Sequence, residues 1–432
     1  MEFTALILLV VFVLLLVLNV PIAISIALSA LVTMLFTIDF LPAVTTIAQR
    51  MTSGVDSFAL LAIPFFILSG FIMGQGGIAK RLIEFAKVIV GRLPGGLAFV
   101  NVIACTLFGS ISGSAVASTS AIGGFMIPSM NKEGYDKNFN TAVTVTASTT
   151  GMLIPPSNVL IIYSLASGGV SIAALFIAGY LPGILVALSL MLVCAIYAKK
   201  NNYPMGAKIS LAEALSKTAG AVPSLFLVIL VIGGIISGWF TPTEAGAIAV
   251  LYSLLLSLLI YREISFADMP DIISKSVSTT AIVMLLIAAS SAMSWLLSYE
   301  NIPQQISSSL LALTDSPIMI LLLINFLLLA VGTFMDMTPA ILIFTPIFLP
   351  IVESLGISPL HFGIIMILNL SIGLCTPPVG SVLFVGCSIG KTSITDVIKP
   401  LLPLYAAMFL ALILVTAFPA ISEFLPKLFD LI

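Results

Sequence analysis

The chain has 432 residues, of which 60% are hydrophobic and 8% charged, and a mean hydropathy of +1.25, which excludes an ordinary soluble domain. A formal net charge of −2 gives no basic footprint for nucleic acid. One histidine and four cysteines without CxxC pairing exclude multi-histidine metal catalysis and give no sign of a zinc site or disulfide framework. No polar stretch is long enough for a separate domain, so the expected fold is a single all-α polytopic membrane unit.

The first apolar run, Phe3–Leu18, lacks a basic leader and passes directly into Pro21–Phe36. It therefore reads as a retained membrane helix rather than a signal peptide. Leu60–Met73 follows, and then Gly77–Gly91 (GIAKRLIEFAKVIVG), whose basic and apolar residues alternate at helical spacing as in an interfacial helix. Leu97–Phe108 and Ser114–Met130 predict two limbs of about 12 and 17 residues, roughly 18 and 26 Å as helices, against a hydrocarbon core of roughly 30 Å. Between them GSISGSAVAS is too polar for a lipid-facing turn and belongs inside protein. At 151–160 the chain reads GMLIPPSNVL, a glycine and a double proline inside an apolar segment. The runs Ile172–Ala198, Val222–Trp239, Ala245–Ile260 and Thr280–Leu297 come next, with Thr241-Pro-Thr-Glu244 as a capping box that makes Glu244 structural. Ile302–Leu313 repeats the interfacial pattern, Ile318–Gly332 and Pro339–Pro350 flank the break GTFMDMT, and GLCTPPVGSVL at 373–383 repeats the double proline. Leu401–Phe418 closes the series. The cysteines, Cys105, Cys194, Cys375 and Cys387, read as small buried hydrophobes, and His361 as a helix-end or packing residue.

The basic residues orient this series. Lys80, Arg81, Lys87 and Arg92, Lys132 and Lys137, Lys199 to Lys217, Arg262 and Lys275, and Lys391 and Lys399 should all be cytoplasmic. Leu97–Met130 must then enter and leave on one face, as a re-entrant hairpin or as a pair of spans, and the limb lengths favour the hairpin. The flanks of the later break, Tyr299–Ser316 and Glu353–Ser358, carry acids and no Lys or Arg, so that hairpin should enter from outside. Only Arg50 and Lys427 of the 16 basic residues then lie outside, with both chain ends.

Gly109 pairs with Gly332, Pro128 with Pro350, Gly151 with Gly373 and Pro155/Pro156 with Pro377/Pro378, at offsets of 223, 222, 222 and 222 residues. The halves read as repeats of inverted topology, the architecture in which broken helices converge on ion and substrate sites. A proline pair frees carbonyls one turn earlier, and a restarting half-helix presents free N–H groups suited to a carboxylate. A hard monovalent cation such as Na+ needs several oxygens. Ser110, Ser112, Gly113, Gly151, Ile154 and Pro156 are the candidates for a first ion site. Gly332, Thr333, Asp336, Gly373, Thr376 and Pro378 are those for a second. Ser114, Ser157, Asn158, Thr338 and Gly380 are the candidate substrate contacts. Asp336 is the only acid between Asp315 and Glu353, which marks it for function, a helix cap being the alternative. Leu93–Asn131 and Asn138–Ala198 carry no charge, so an anion there must be held by helix N-termini and polar side chains.

Five segments, AIPFFILSG at 62–70, GSISGSAVAS at 109–118, GMLIPPSN at 151–158, TPTEAGA at 241–247 and GLCTPPVG at 373–380, resemble the large membrane subunit of tripartite ATP-independent periplasmic (TRAP) transporters. The resemblance spans nearly the whole chain. It implies an inner-membrane, multi-pass elevator transporter coupled to Na+, with a small four-helix membrane subunit and a periplasmic binding protein as partners, and an unfused arrangement. The expected division is 1–76 scaffold, 77–95 interfacial arm, 96–170 first part of the transport domain, 171–300 scaffold and connecting helices, 301–316 outer arm, 317–390 second part of the transport domain, and 391–432 terminal helix. The chain looks most like sialic-acid-type subunits, with C4-dicarboxylate ones close. A stand-alone Na+/carboxylate symporter, coupling to H+ through Asp336 and a channel stay open. An intramembrane aspartyl protease lacks an obvious second acid, and ATP-driven pumping lacks a GxxxxGK[ST] loop; no enzymatic activity is expected.

Overall fold

The computed structural model describes residues 3–206, 209–312, 314, 316–377 and 379–432. Helices α1 (Phe3–Val17), α2 (Ile22–Met34), α3 (Phe40–Val55) and α4 (Ala62–Gln75) lead into α5 (Ile78–Val90), the amphipathic arm. α6 (Gly96–Ser112) and α7 (Ala115–Lys132) form a hairpin, and α8 (Lys137–Thr150) and α9 (Asn158–Ala166) are the halves of a broken helix. α10 (Ile172–Ala178), α11 (Tyr180–Asn201), α12 (Leu211–Ile236), α13 (Pro242–Leu254) and α14 (Met269–Tyr299) connect to the second half. There α15 (Ile302–Leu311) is the second arm, α16 (Pro317–Gly332) and α17 (Met337–Ser354) the second hairpin, and α18 (Pro359–Gly373) and α19 (Ser381–Gly390) the second broken helix. α20 (Ile394–Ala417) and α21 (Ala420–Leu428) close the chain. Seven of the described helical segments are long and apolar enough to cross a membrane.

The repeat is visible in the helix starts. Ala115 and Met337 open α7 and α17, Lys137 and Pro359 open α8 and α18, and Ile172 and Ile394 open α10 and α20, each pair 222 residues apart. Local chemistry explains several of these boundaries. Gly113 takes φ +62°, where an L side chain is strained, and stops α6. Ser114 and Asp136 then accept the N–H groups of Ala117 (3.2 Å) and Phe139 (2.8 Å), starting α7 and α8. The capping box at Thr241–Glu244 forms as expected. The cysteines are free and buried, and His361 packs by bonding Ser422 Oγ through Nδ1 at 2.7 Å. The second arm ends at Leu311, and Leu313, at the end of the expected segment, lies outside the described residues.

α6 and α7 form an antiparallel pair. Asn101 near the start of α6 donates to Met130 Sδ near the end of α7 (3.8 Å), and Ser118 Oγ donates to the Cys105 carbonyl (3.1 Å), so the open ends lie together beside Arg92 and Lys132. The limb lengths differ from expectation. The Gly109–Ser112 stretch continues α6 as helix, giving 17 residues, because Ser110 Oγ bonds back to the Leu107 carbonyl instead of opening the helix, and α17 runs for 18 from Met337 to Ser354. Length alone therefore does not make these segments hairpins. The two-residue tip at Gly113–Ser114 and the antiparallel pairing do.

α8 is the polar spine of the core. Every residue from Phe139 to Thr150 is buried, and its hydroxyls donate to carbonyls three or four residues back. Asn101 Nδ2 donates to Thr144 Oγ1 (2.7 Å) across to α6, and the repeat-related helices are tied by Asn369 Nδ2 to Asn325 Oδ1 (2.8 Å). Where each broken helix ends, it touches its hairpin through bare backbone. A Cβ on Gly151 would lie 2.4 Å from Gly109 Cα, and one on Gly373 would lie 2.6 Å from Gly332 Cα.

Outside this core, Lys217 of α12 reaches Glu84 of the arm at 2.9 Å, and Lys87 reaches it at 2.7 Å. Burial raises the Glu84 carboxyl, but its bonds to the two ammonium groups outweigh that and hold it below the ordinary carboxylate range.

Gly151→Ala and Gly373→Ala should each destabilise the protein by about 1–3 kcal/mol through backbone overlap, seen as a lower Tm in detergent. Gly124→Ala, whose Cβ meets nothing within 4 Å, should leave Tm unchanged or slightly raised. Glu84→Gln should cost about 1 kcal/mol or less at neutral pH. A carboxyl depressed in the folded state stabilises above its unfolded pKa, so this difference should fade as pH falls through the depressed value, which thermal melts across pH will read.

Candidate substrate and ion site

A cavity of about 500 Å³ lies between α4 and α14 on one wall and the two hairpin tips with the start of α9 on the other. Gly70, Phe71 and Gln75 come from α4, and Thr279 and Val283 from α14. Gln75, Ser120 and Thr279 carry the lining toward the helix ends that bear Lys80, Lys132 and Lys275, so the cavity reaches toward the basic face. Asp336 is the one charged residue on the wall, which holds no Lys, Arg or His among the described residues.

Three helices begin at this cavity: α7 at Ala115, α9 at Asn158 and α17 at Met337. Their first-turn N–H groups and dipole ends supply positive potential without a cationic side chain. Ser114 already caps α7, but neither Ser157 nor Asp336 makes a side-chain cap bond. The capping alternative for Asp336 is thus not realised by a bond to the helix, and its side chain is exposed to the cavity. Asn158 Oδ1, on the cavity wall, and Ser157 Oγ, behind it, are buried without hydrogen-bond partners.

Of the expected substrate contacts, Ser114, Asn158 and Thr338 stand on the cavity wall. Ser157 is buried outside the lining, and Gly380 sits in the tight turn before α19, where a Cβ would lie 2.7 Å from the Leu374 carbonyl oxygen.

The first set of expected ion ligands is brought together in part, where the α6 tip meets the α8–α9 break, while the Ile154 side chain packs on Gly183 of α11. Gly151 abuts Gly109 and the Ser110 nitrogen, and Asn158 lies against Gly113. Among the described residues the carbonyls of Gly151, Ile154 and Pro156 accept no hydrogen bond. Ser110 Oγ donates to Leu107 and keeps its lone pairs. This all-oxygen donor set suits a hard alkali cation and offers no soft ligand.

The second set differs. The Thr333 carbonyl accepts from Val379 N (3.2 Å), that of Gly373 from Thr376 N (2.9 Å) and that of Thr376 from Gly380 N (3.1 Å), so each retains only part of its acceptor capacity. Gly332 packs on Gly373, Asp336 faces the cavity, and Pro378 lies outside the described residues. Gln75, Ser120, Thr279 and Val283 were not anticipated from the sequence. None of them sits in a motif that carries a local signal, and their place on the wall depends on how α4 and α14 pack against the tips.

Residues 9–421 match the family described as the DctM component of the tripartite ATP-independent periplasmic transporter. YgiK of Salmonella typhimurium is 55% identical over 418 residues, covering 97% of this chain and 96% of its own. The C4-dicarboxylate TRAP transporter large permease protein DctM of Pseudomonas aeruginosa is 42% identical, covering 92% of each chain. The sialic acid TRAP transporter large permease protein SiaM of Vibrio cholerae is 39% identical, covering 88% of this chain and 89% of its own. Among solved structures, the YdaH transporter of Alcanivorax borkumensis superposes with a TM-score of 0.64 at 16% identity over 88% of this chain and 89% of that one, a likeness of fold. With its apolar spans, this chain belongs to the DctM-component family, the large permease subunits of TRAP transporters, and is a multi-pass protein of the bacterial inner membrane.

Proposed function

We propose that this subunit imports a small organic acid, coupled to Na+, by moving its two hairpins and broken helices as one body against the remaining helices. The observation that carries the reading is the convergence of three helix N-termini on a cavity without a cationic side chain. Such a site binds an anion through backbone N–H groups and hydroxyls, and a cavity of about 500 Å³ falls in the range of small-molecule sites. Na+ would be held by the free carbonyls at the first break and the hydroxyls of Ser110 and Ser112, with Asp336 and the second tip as a further ion site. Hairpins that enter the bilayer and end inside it suit alternating access better than a continuous pore.

Sialic acid is the first substrate to try. The relatives named for C4-dicarboxylate and for sialic acid, at 42% and 39% identity, support the broader class of small organic acids equally well. The family's tripartite description supports a second membrane subunit and a periplasmic binding protein as partners. Asp336, the one titratable group on the cavity wall among the described residues, favours H+ coupling as a second reading.

Uptake of labelled sialic acid and of succinate into liposomes holding this chain and its small subunit should require both the binding protein and an inward Na+ gradient. Uptake without binding protein would instead mark a stand-alone symporter, and uptake driven by a pH gradient alone would mark H+ coupling. Asp336→Asn should raise the Na+ concentration for half-maximal uptake by about tenfold, the scale of one lost charge-assisted contact. An unchanged Na+ response would remove Asp336 from the ion site. Replacing Pro155 and Pro156 by Ala should restore helix and impair uptake, and full activity would make those prolines mere kinks.

A further inference from the structure

A second cleft, of about 460 Å³, opens at the opposite end of α14 from the basic face, between α3 and α14 on one side and α9 and α17 on the other. Its polar wall is a serine stripe, Ser290, Ser291, Ser294 and Ser298, all on α14. Ser290 is 3% exposed, and its Oγ has no hydrogen-bond partner. Arg50 of α3 stands at the cleft with its guanidinium carbon 5.5 Å from the centroid of Trp295, within cation–π range. Among the described residues Arg50 makes no ion pair, and no acidic residue lines the cleft. An exposed guanidinium aligned by an aromatic ring, beside a buried hydroxyl that lacks a partner and further serines on the same face, is a receptor for a carboxylate or sulfonate.

The register of α14 links this cleft to the central cavity. Thr279 and Val283 line the cavity, while Ile287, Ser291, Ser294 and Ser298 line the cleft, and together they form one helix face. Val283 and Ser294 are separated by roughly 16 Å of helix rise. We propose that Arg50, Trp295 and the α14 serines form an outer anion site, where the substrate's acid group is received when the hairpins stand at the outer end of α14. The proposal rests on the transport reading above and adds to it the place of capture.

The test uses the full chain, expressed with its membrane partner in spheroplasts and carrying Ser294→Cys. The four native cysteines are buried and give a low background. The probes are an anionic sulfonatoethyl and a cationic trimethylammonioethyl methanethiosulfonate, both membrane-impermeant. With Arg50 present, the anionic-to-cationic rate ratio should exceed that of a small free thiol in solution by about tenfold. Arg50→Gln should abolish the excess and Arg50→Lys should retain most of it. A ratio equal to that of the free thiol, a ratio unaltered by Arg50→Gln, or no modification from outside would each overturn the proposal. The first comparison needs no arginine variant, so a misfolded one does not rescue the idea. Labelling also needs no turnover: failure to transport any organic acid would sink the transport reading while the anion preference stayed measurable, and transport without the preference would sink this proposal alone.

Discussion

Backbone contact between Gly109 and Gly151, and again between Gly332 and Gly373, is the constraint on which the rest of the arrangement depends. In an apolar bilayer, helices gain little from hiding greasy surface, and close backbone approach supplies van der Waals contact instead. Here it also does something positional. Each contact pins the end of one broken helix to the first limb of a hairpin, near the tip, so the interrupted backbone after Gly151 and after Gly373 is held beside the hairpin tips at Gly113–Ser114 and 333–336. Irregular backbone at that depth survives only if protein surrounds it. The glycine crossings, the buried hydroxyl ladder of α8 and the Asn101–Thr144 and Asn325–Asn369 ties provide that surround.

The two halves use this scheme for different ends. At the first break, the carbonyls of Gly151, Ile154 and Pro156 accept no hydrogen bond among the described residues, and Ser157 and Asn158 hold unpartnered oxygens. At the second, the Thr333, Gly373 and Thr376 carbonyls are engaged by Val379, Thr376 and Gly380. A repeat of inverted topology starts with two equivalent sites, and hydrogen bonding has made one of them more closed. The asymmetry extends to the cavity: the tip of the second hairpin brings the acid Asp336, whereas the first tip brings only Ser112, Gly113 and Ser114. Uncompensated backbone oxygens attract a cation and helix N-termini attract an anion. The free carbonyls and the α9 N-terminus belong to one break, of which Asn158 reaches the cavity wall, so under the proposed function each charge would reduce the cost of desolvating the other.

Much of this was legible in the sequence, and the limits are instructive. The 222-residue repeat survived into the helix starts at Ala115 and Met337 because proline pairs and glycine breaks are local, steric instructions. The capping box at Thr241 and the arm at Ile78–Val90 were legible for the same reason. The length of α6 was misjudged because GSIS looks like a loop by composition, yet Ser110 bonds back to Leu107 and stays helical. Thr279, Gln75 and Ser290 could not be singled out at all. Each is a small polar residue without a local motif, and its meaning comes from the helix packed opposite.

The distribution of cationic charge along the path follows from what a carrier must do. A guanidinium inside the central cavity would bind an acid tightly in every state, and conduction requires binding that is also weak enough to end. Helix N-termini and hydroxyls hold an anion more weakly and, under the proposed movement of the hairpins, would travel with the tips. Arg50 instead stands on α3, away from the tips, at the end of α14 opposite the basic face, where its field can draw an anion in without accompanying it inward. One face of α14 joins the two places, serine-rich at the outer end and nearly apolar toward Val283. Under the proposed function the pull on an acid group would thus decline along the route, leaving the cavity on the basic side to release it.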